Sequence, residues 1–306
     1  MQNVDIQSLN DAFAIPGHLS FTAGPGSLPL VEIHAAHATA TVALQGGQVV
    51  TYQPHDQQPV LWVSERSIYA PGKAIRGGIP VCWPWFGPHP DDPHKPQHGF
   101  ARTAMWQVLG TTLVQPDAVQ LRLGLTDTAE TRTLWPHPFA LELGITAGPE
   151  LRIELTARNP GAEAMQCTSA LHSYFQVSAI EAVTIYGLEG CSYIDKVDAA
   201  RRKLQQGPIT IAGETDRIYL DTANECTIQD RGLGRRIHVA KVGSRSTVVW
   251  NPWIDKARQL ADFGDEEYRQ MVCIETANAG DDVITIAPGG THTLGTTIWV
   301  EQGADE

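Results

Sequence analysis

Leu151-Arg152-Ile153-Glu154-Leu155, followed by the turn residues Asn159-Pro160-Gly161, alternates apolar and charged side chains with a period of two. That period puts all the leucines and isoleucines of a strand on one face. The same signature recurs outward along the chain. It is present in Val31-Glu32-Ile33-His34, Ala40-Thr41-Val42-Ala43-Leu44 and Val119-Gln120-Leu121-Arg122-Leu123. It returns in Ile209-Thr210-Ile211, Thr247-Val248-Val249-Trp250, Val283-Ile284-Thr285-Ile286 and Thr296-Thr297-Ile298-Trp299-Val300. Gly46-Gly47, Gly232-Leu233-Gly234 and Pro288-Gly289-Gly290 punctuate the runs. Many short strands with frequent turn signals predict an all-β sandwich or barrel.

Helical patterning is scarce. Leu9 to Phe13 reads as a short N-terminal helix capped by Ser8, and Asp262 to Arg269 as one helical turn before a strand from Met271 to Glu275. The proline-rich stretch 87–96, Gly87-Pro88-His89-Pro90-Asp91-Asp92-Pro93-His94-Lys95-Pro96, is incompatible with helix or central strand. It reads as a plain surface loop or as the rim of a pocket. Neither linker nor repeat divides the chain, so one domain over residues 1–306 is expected, with a frayed tail from Gln302 to Glu306.

The chain has 306 residues, enough to bury a large core without disulfide or metal support. Its net charge of -12 argues against a nucleic-acid partner or an anionic membrane surface. No apolar run approaches the ~20 residues of a membrane span. Cys82, Cys167, Cys191, Cys226 and Cys273 are scattered, without a CxxC pair. That odd count, and the polar start Met1-Gln2-Asn3-Val4-Asp5, point to a reducing, cytoplasmic setting. A monomer is expected. Cys82 reads as a small buried apolar residue.

The richest stretches for chemistry are Ile75-Arg76-Gly77-Gly78-Ile79-Pro80-Val81-Cys82-Trp83-Pro84-Trp85-Phe86-Gly87 and Gln97-His98-Gly99-Phe100-Ala101-Arg102. Glycine would let backbone approach a ligand, and proline would stiffen the loop. Tryptophan offers a flat apolar face, and arginine a fork of donors for phosphate or carboxylate. Together they predict a pocket for a polar, anionic, ring-shaped molecule.

His172 lies in the strand-like Ser169-Ala170-Leu171-His172-Ser173-Tyr174-Phe175, where alternation gives it one face with Tyr174. A lone histidine beside aromatics is more often packed or exposed than catalytic. Glu275 follows Met271-Val272-Cys273-Ile274 directly, and a buried glutamate is costly unless it is paired or functional. The following Thr276-Ala277-Asn278 reads as loop entry, which leaves a solvent-facing strand end open. Asp216, in Asp216-Arg217-Ile218-Tyr219, is either an exposed ion-pair partner or an acceptor for sugar hydroxyls. Trp250-Asn251-Pro252-Trp253 reads as packing or as a platform near the pocket. The P-loop, GxSxG, HExxH and strand-linked GxGxxG patterns are missing. His89, His94, Asp91 and Asp92 lack regular metal-ligand spacing, so no metal is expected.

In this order, RGGIP, WPWFG, QHGFAR, His172-Ser173-Tyr174-Phe175, Asp216-Arg217-Ile218-Tyr219, Asn251-Pro252-Trp253 and Glu275 resemble the glucose-6-phosphate 1-epimerase family. That family is the hexose-phosphate branch of the aldose 1-epimerase-like, galactose mutarotase-like proteins. The resemblance implies a large antiparallel β-sandwich, or supersandwich, with the sugar in a cleft on one sheet. It implies an isomerase without cofactor or metal, in which His172 is the acid and Glu275 the base. It also implies that Arg76, Gln97 and Arg102 hold a sugar phosphate, that Asp216 binds a sugar hydroxyl, and that His98 and Trp83 line the pocket. The expected reaction is interconversion of the α and β anomers of hexose 6-phosphate. Alternatives are an epimerase of unphosphorylated aldoses, a non-catalytic carbohydrate-binding protein and an interaction module.

Overall fold

The computed structural model describes residues 4–114 and 117–303. Among these residues the strands form two eight-stranded sheets, a four-stranded sheet and a two-stranded ribbon. Every strand pair is antiparallel, which agrees with the all-β sandwich expected from the alternating runs. The first large sheet runs Val183–Tyr186, Cys226–Asp230, Arg235–Val242, Thr291–Gln302, Leu151–Arg158, Ala140–Ala147, Ala118–Thr126 and Gln107–Val114. Here the period-two pattern does what it predicts. Leu143 lies opposite Leu155 and Ile145 opposite Ile153, all four buried, while the alternate residues face outward.

The second large sheet positions the site. Its centre is the strand Met271–Asn278, all of whose residues are buried. On one edge it pairs with Ser246–Asn251, which pairs in turn with Thr215–Tyr219. On its other edge lie Ser169–Leu171 and Tyr174–Gln176, with Val81–Cys82 beyond. Val249, Val272 and Ile274 point into an apolar cluster that draws residues from Leu19 to Ile298. On that continuity we infer a single domain.

Several local expectations need correction. The N-terminal helix spans Ile6–Phe13, and Asp5 rather than Ser8 caps it, accepting from the Gln7 N–H at 3.0 Å. A carboxylate two residues upstream is the better acceptor for the free N–H groups of the first turn. Ile209-Thr210-Ile211 is no strand; only Ile209 bridges, to Ile185. The helical turn before the catalytic-strand candidate is the short 3-10 helix Glu267–Gln270. That strand runs on through Thr276-Ala277-Asn278, so Glu275 lies well inside it. The last long strand includes Gln302, and residues 304–306 of the tail lie outside the described residues. All five cysteines are unpaired, and Cys82 is fully buried, its thiol pushed up to about 12 by that burial. No helix among the described residues is long and apolar enough to cross a membrane.

Gly78 serves backbone packing rather than approach to a ligand. Its φ is +60°, and a Cβ there would lie 2.2 Å from the Val49 carbonyl oxygen. Gly72, at φ +74°, would meet nothing within 4 Å. Gly78→Ala is therefore expected to cost about 3 kcal/mol or more, as strain plus overpacking, against about 1 kcal/mol for Gly72→Ala. Urea unfolding of the two variants measures this, and equal losses would contradict it.

Candidate active site

The register of the second sheet brings two distant residues together. Leu171 pairs with Thr276 and Tyr174 with Cys273. Between those pairs His172 falls opposite Glu275. Strand pairing breaks at His172 and Ser173, where the Ser173 N–H turns back to the Leu171 carbonyl at 3.0 Å. The His172 N–H instead donates to the Pro80 carbonyl at 3.0 Å, so the loop carrying RGGIP pins the histidine backbone. His172 Nε2 lies 3.4 Å from Glu275 Oε1. The imidazole stacks on Tyr174, ring centroids 4.6 Å apart, as shared alternation predicts.

Glu275 is 1% exposed and His172 8%. Burial drives the carboxyl of Glu275 well above its ordinary range, and the nearby Asp216 carboxylate adds to this. Burial likewise drives His172 well below the ordinary imidazole value, assisted by His98, Arg76 and Arg102. Both directions favour one arrangement: a neutral imidazole beside a protonated carboxyl. His172 Nδ1 and Glu275 Oε2 have no hydrogen-bond partner among the described residues. Such a buried orphan costs about 1–3 kcal/mol unless water or a ligand completes it.

The pair lies in the wall of a cleft of about 1100 Å³. Asp216, Ile218, Val248, Trp250 and Glu275 reach it from alternate positions of three neighbouring strands, so they share one face of the sheet. Arg76, Gln97, His98 and Arg102 line the same cleft, so seven of the eight residues singled out in the sequence converge there. The exception is Trp83. It is 1% exposed and packs edge-on against Phe100, Trp135 and Phe139 in the core. The resemblance implied that it lines the pocket, but Trp85, Phe86, Trp135, Tyr174 and Trp250 are the tryptophan, phenylalanine and tyrosine residues that reach the cleft. Trp253 instead opens the helix Trp253–Gln259.

The arginines differ. Arg76 donates to both carboxylate oxygens of Asp262, at 3.2 and 3.1 Å, and to the Tyr174 hydroxyl at 3.1 Å. Its charge is balanced and its plane is fixed. Arg102 donates to the Gln97 carbonyl at 2.7 Å and has no carboxylate within ion-pair distance among the described residues. His98 Nδ1 accepts from the Gly87 N–H at 3.2 Å, which leaves the hydrogen on Nε2. Burial, then Arg102 and Arg76, hold His98 down to about 3, so it is a neutral donor at physiological pH. Asp216 is raised, chiefly by burial. Arg217 points elsewhere and covers the Tyr193 ring at 5.1 Å, so the exposed Asp216–Arg217 ion pair does not form.

Sequence reasoning passed over Asp262 and left Tyr174 unassigned. Tyr174 was visible by its alternation with His172. Asp262 is 186 positions from Arg76, in a turn without a recognisable pattern. The ligand atoms of His172, Cys273 and Glu275 lie within 4.8 Å of one another, as a metal set could. Burial holds the Cys273 thiol well above its ordinary value. A smaller cavity of about 590 Å³ contains Arg202 and Arg245, already paired with Asp281 and Asp221.

The aldose 1-epimerase family model matches residues 29–299. A protein of Escherichia coli (strain K12) named "Putative glucose-6-phosphate 1-epimerase" is 38% identical over 255 residues, 83% of this chain and 84% of that one. The crystal structure of "a putative mutarotase" from Salmonella typhimurium superposes with a TM-score of 0.88 at 33% identity, covering 95% of this chain and 96% of the other. A galactose mutarotase related enzyme of Lactobacillus acidophilus, 17% identical, shares the fold with a TM-score of 0.70 over 90% of this chain and 98% of its own. With its family match, its relatives and this sheet architecture, the chain belongs to the aldose 1-epimerase family of isomerases.

Proposed function

We propose that the protein interconverts the α and β anomers of a hexose 6-phosphate, glucose 6-phosphate foremost. The observation that carries this reading is the orphaned His172–Glu275 pair, set in the wall of a cleft that also contains the unpaired Arg102 cation. The Escherichia coli relative bears the name of the same activity.

Glu275, as carboxylate, takes the proton of the C1 hydroxyl while His172, as imidazolium, gives one to O5. The C1–O5 bond breaks with its electron pair moving to O5, and C1 becomes an aldehyde. Rotation about C1–C2 presents the other carbonyl face. His172 then recovers the O5 proton as O5 attacks C1, and Glu275 returns its proton to the C1 oxygen. The open-chain stage leaves Glu275 protonated and His172 neutral, the same state that burial favours. Ring opening needs that proton on His172 instead. A phosphate dianion beside Arg102 and Arg76 would cancel two of the charges that depress His172. Relief of that pressure would favour the proton on the imidazole. The phosphate therefore anchors the sugar and also primes the acid.

Trp250, edge-on to His172 at 6.2 Å, gives the sugar ring an apolar wall, and Asp216 an acceptor for its hydroxyls. The unpaired Arg102 favours a phosphorylated substrate over a free aldose, and an acid–base pair has no use in a binding protein. Five unpaired thiols fit a reducing cytoplasm, and we infer a monomer.

Polarimetry of freshly dissolved α-glucose 6-phosphate is expected to show Glu275→Gln and His172→Ala slowed by about 10²–10⁴-fold with unfolding midpoints retained. Full activity in either would refute the pair. Arg102→Ala is expected to raise KM for glucose 6-phosphate about tenfold or more, with a smaller change for glucose. Equal losses would count against a phosphate role. In the free enzyme His172 gains its second ring proton only well below pH 6.5, so kcat/KM with free glucose, a substrate that does not itself titrate there, is expected to stay level as pH falls through that value. An acid limb centred at 6.5 would contradict the neutral buried imidazole.

A further inference from the structure

Residues 87–96 form the rim of the cleft, through Pro88, His89, Asp91 and Lys95 among others. The rim is tied down at both ends. The His98 N–H donates to the Gly87 carbonyl at 2.7 Å, and Trp85 Nε1 donates to the Pro96 carbonyl at 2.8 Å. The Trp85 ring also holds the His89 ring edge-on at 4.7 Å. Arg102 grips the Gln97 carbonyl, two residues beyond Lys95. Four prolines between these anchors limit the backbone further. His89 and Lys95 are therefore held in place rather than free to sample solvent.

One contact in this rim does not balance. His89 Nδ1 accepts the Asp91 N–H at 3.2 Å, while Lys95 Nζ lies 3.3 Å from His89 Nε2. A neutral imidazole has one accepting nitrogen, so with Nδ1 occupied Nε2 carries hydrogen. Lys95 then directs an ammonium donor at a second donor. Putting the hydrogen on Nδ1 moves the conflict to the Asp91 N–H. Among the described residues Lys95 has no carboxylate within ion-pair distance, although Asp91 also lines the cleft. Two donors brought together without an acceptor are completed by an anionic oxygen that accepts from both.

We propose that Lys95 and His89 are the second arm of the phosphate grip, alongside Arg102, and set the preference for phosphorylated over free sugar. This rests on the hexose-phosphate reading above and extends it to a segment whose part in the site the sequence left open. The ligand group is a phosphate monoester; the loop acts on affinity, not on the proton transfers at C1.

The experiment is the ratio of kcat/KM for glucose 6-phosphate to that for glucose, in the wild type, Lys95→Met, Lys95→Arg and His89→Ala. Lys95→Met is expected to lower the ratio by about ten- to a hundredfold, through KM for the phosphate. Lys95→Arg should restore most of it. His89→Ala combined with Lys95→Met should lose little beyond Lys95→Met, since the two donors share one anion. Inorganic phosphate as a competitive inhibitor reads the same site without the sugar, and its inhibition constant should rise in Lys95→Met. An unchanged ratio in Lys95→Met beside a wild type that prefers the phosphate would overturn this proposal alone. A wild type with no preference for the phosphate would overturn it together with the hexose-phosphate reading.

Discussion

Antiparallel register between residues 169–176 and Met271–Asn278 is the constraint on which the site depends. It carries His172 to Glu275 across more than a hundred residues of chain. A slip by one residue would turn Glu275 to the opposite face of the sheet and put Ile274 in the cleft. The register is protected because Met271–Asn278 is flanked on both edges and buried on both faces. One face packs into the main core through Val272 and Ile274; the other presents Glu275. The same burial that stabilises the strand gives the carboxyl its chemistry.

Burial, however, disfavours both charged forms of the pair. A neutral imidazole beside a protonated carboxyl meets both demands, with Nδ1 and Oε2 unpartnered among the described residues. Arg76 adds to the pressure on His172, and Asp262 keeps Arg76 from being a bare cation at the same place. The site is thus a set of opposed electrostatic demands that a sugar carrying an anionic tail would relieve. Positive charge stands beside His172, and the Asp216 carboxylate acts on Glu275. That asymmetry disfavours the imidazolium and carboxylate that ring opening needs, and an anion beside the arginines would offset it on the histidine side.

Much of this was legible in the sequence. Alternation disclosed strands such as Leu151–Arg158, and apolar residues running straight into Glu275 betrayed an unusual carboxylate. The motifs with Arg76, Gln97, His98 and Arg102 pointed to residues that line one cleft with His172 and Glu275. Other features were hidden for physical reasons. Ile209-Thr210-Ile211 has strand chemistry but finds a single bridge, because pairing is a long-range event. Trp83 was expected to line the pocket because composition does not say which of two nearby tryptophans points inward. Asp262 gave no sign because its role exists only beside Arg76. The Lys95–His89 conflict appears only when both ring nitrogens have neighbours.

The most direct measurement is a crystal structure with the ring-closed, unreactive analogue 1,5-anhydroglucitol 6-phosphate. The account predicts its C1 and ring oxygen between Glu275 and His172, the ring oxygen within about 3 Å of the imidazole, and the phosphate against Arg102. A sugar bound the other way round, with its phosphate beside Asp216 and C1 remote from both side chains, would contradict it.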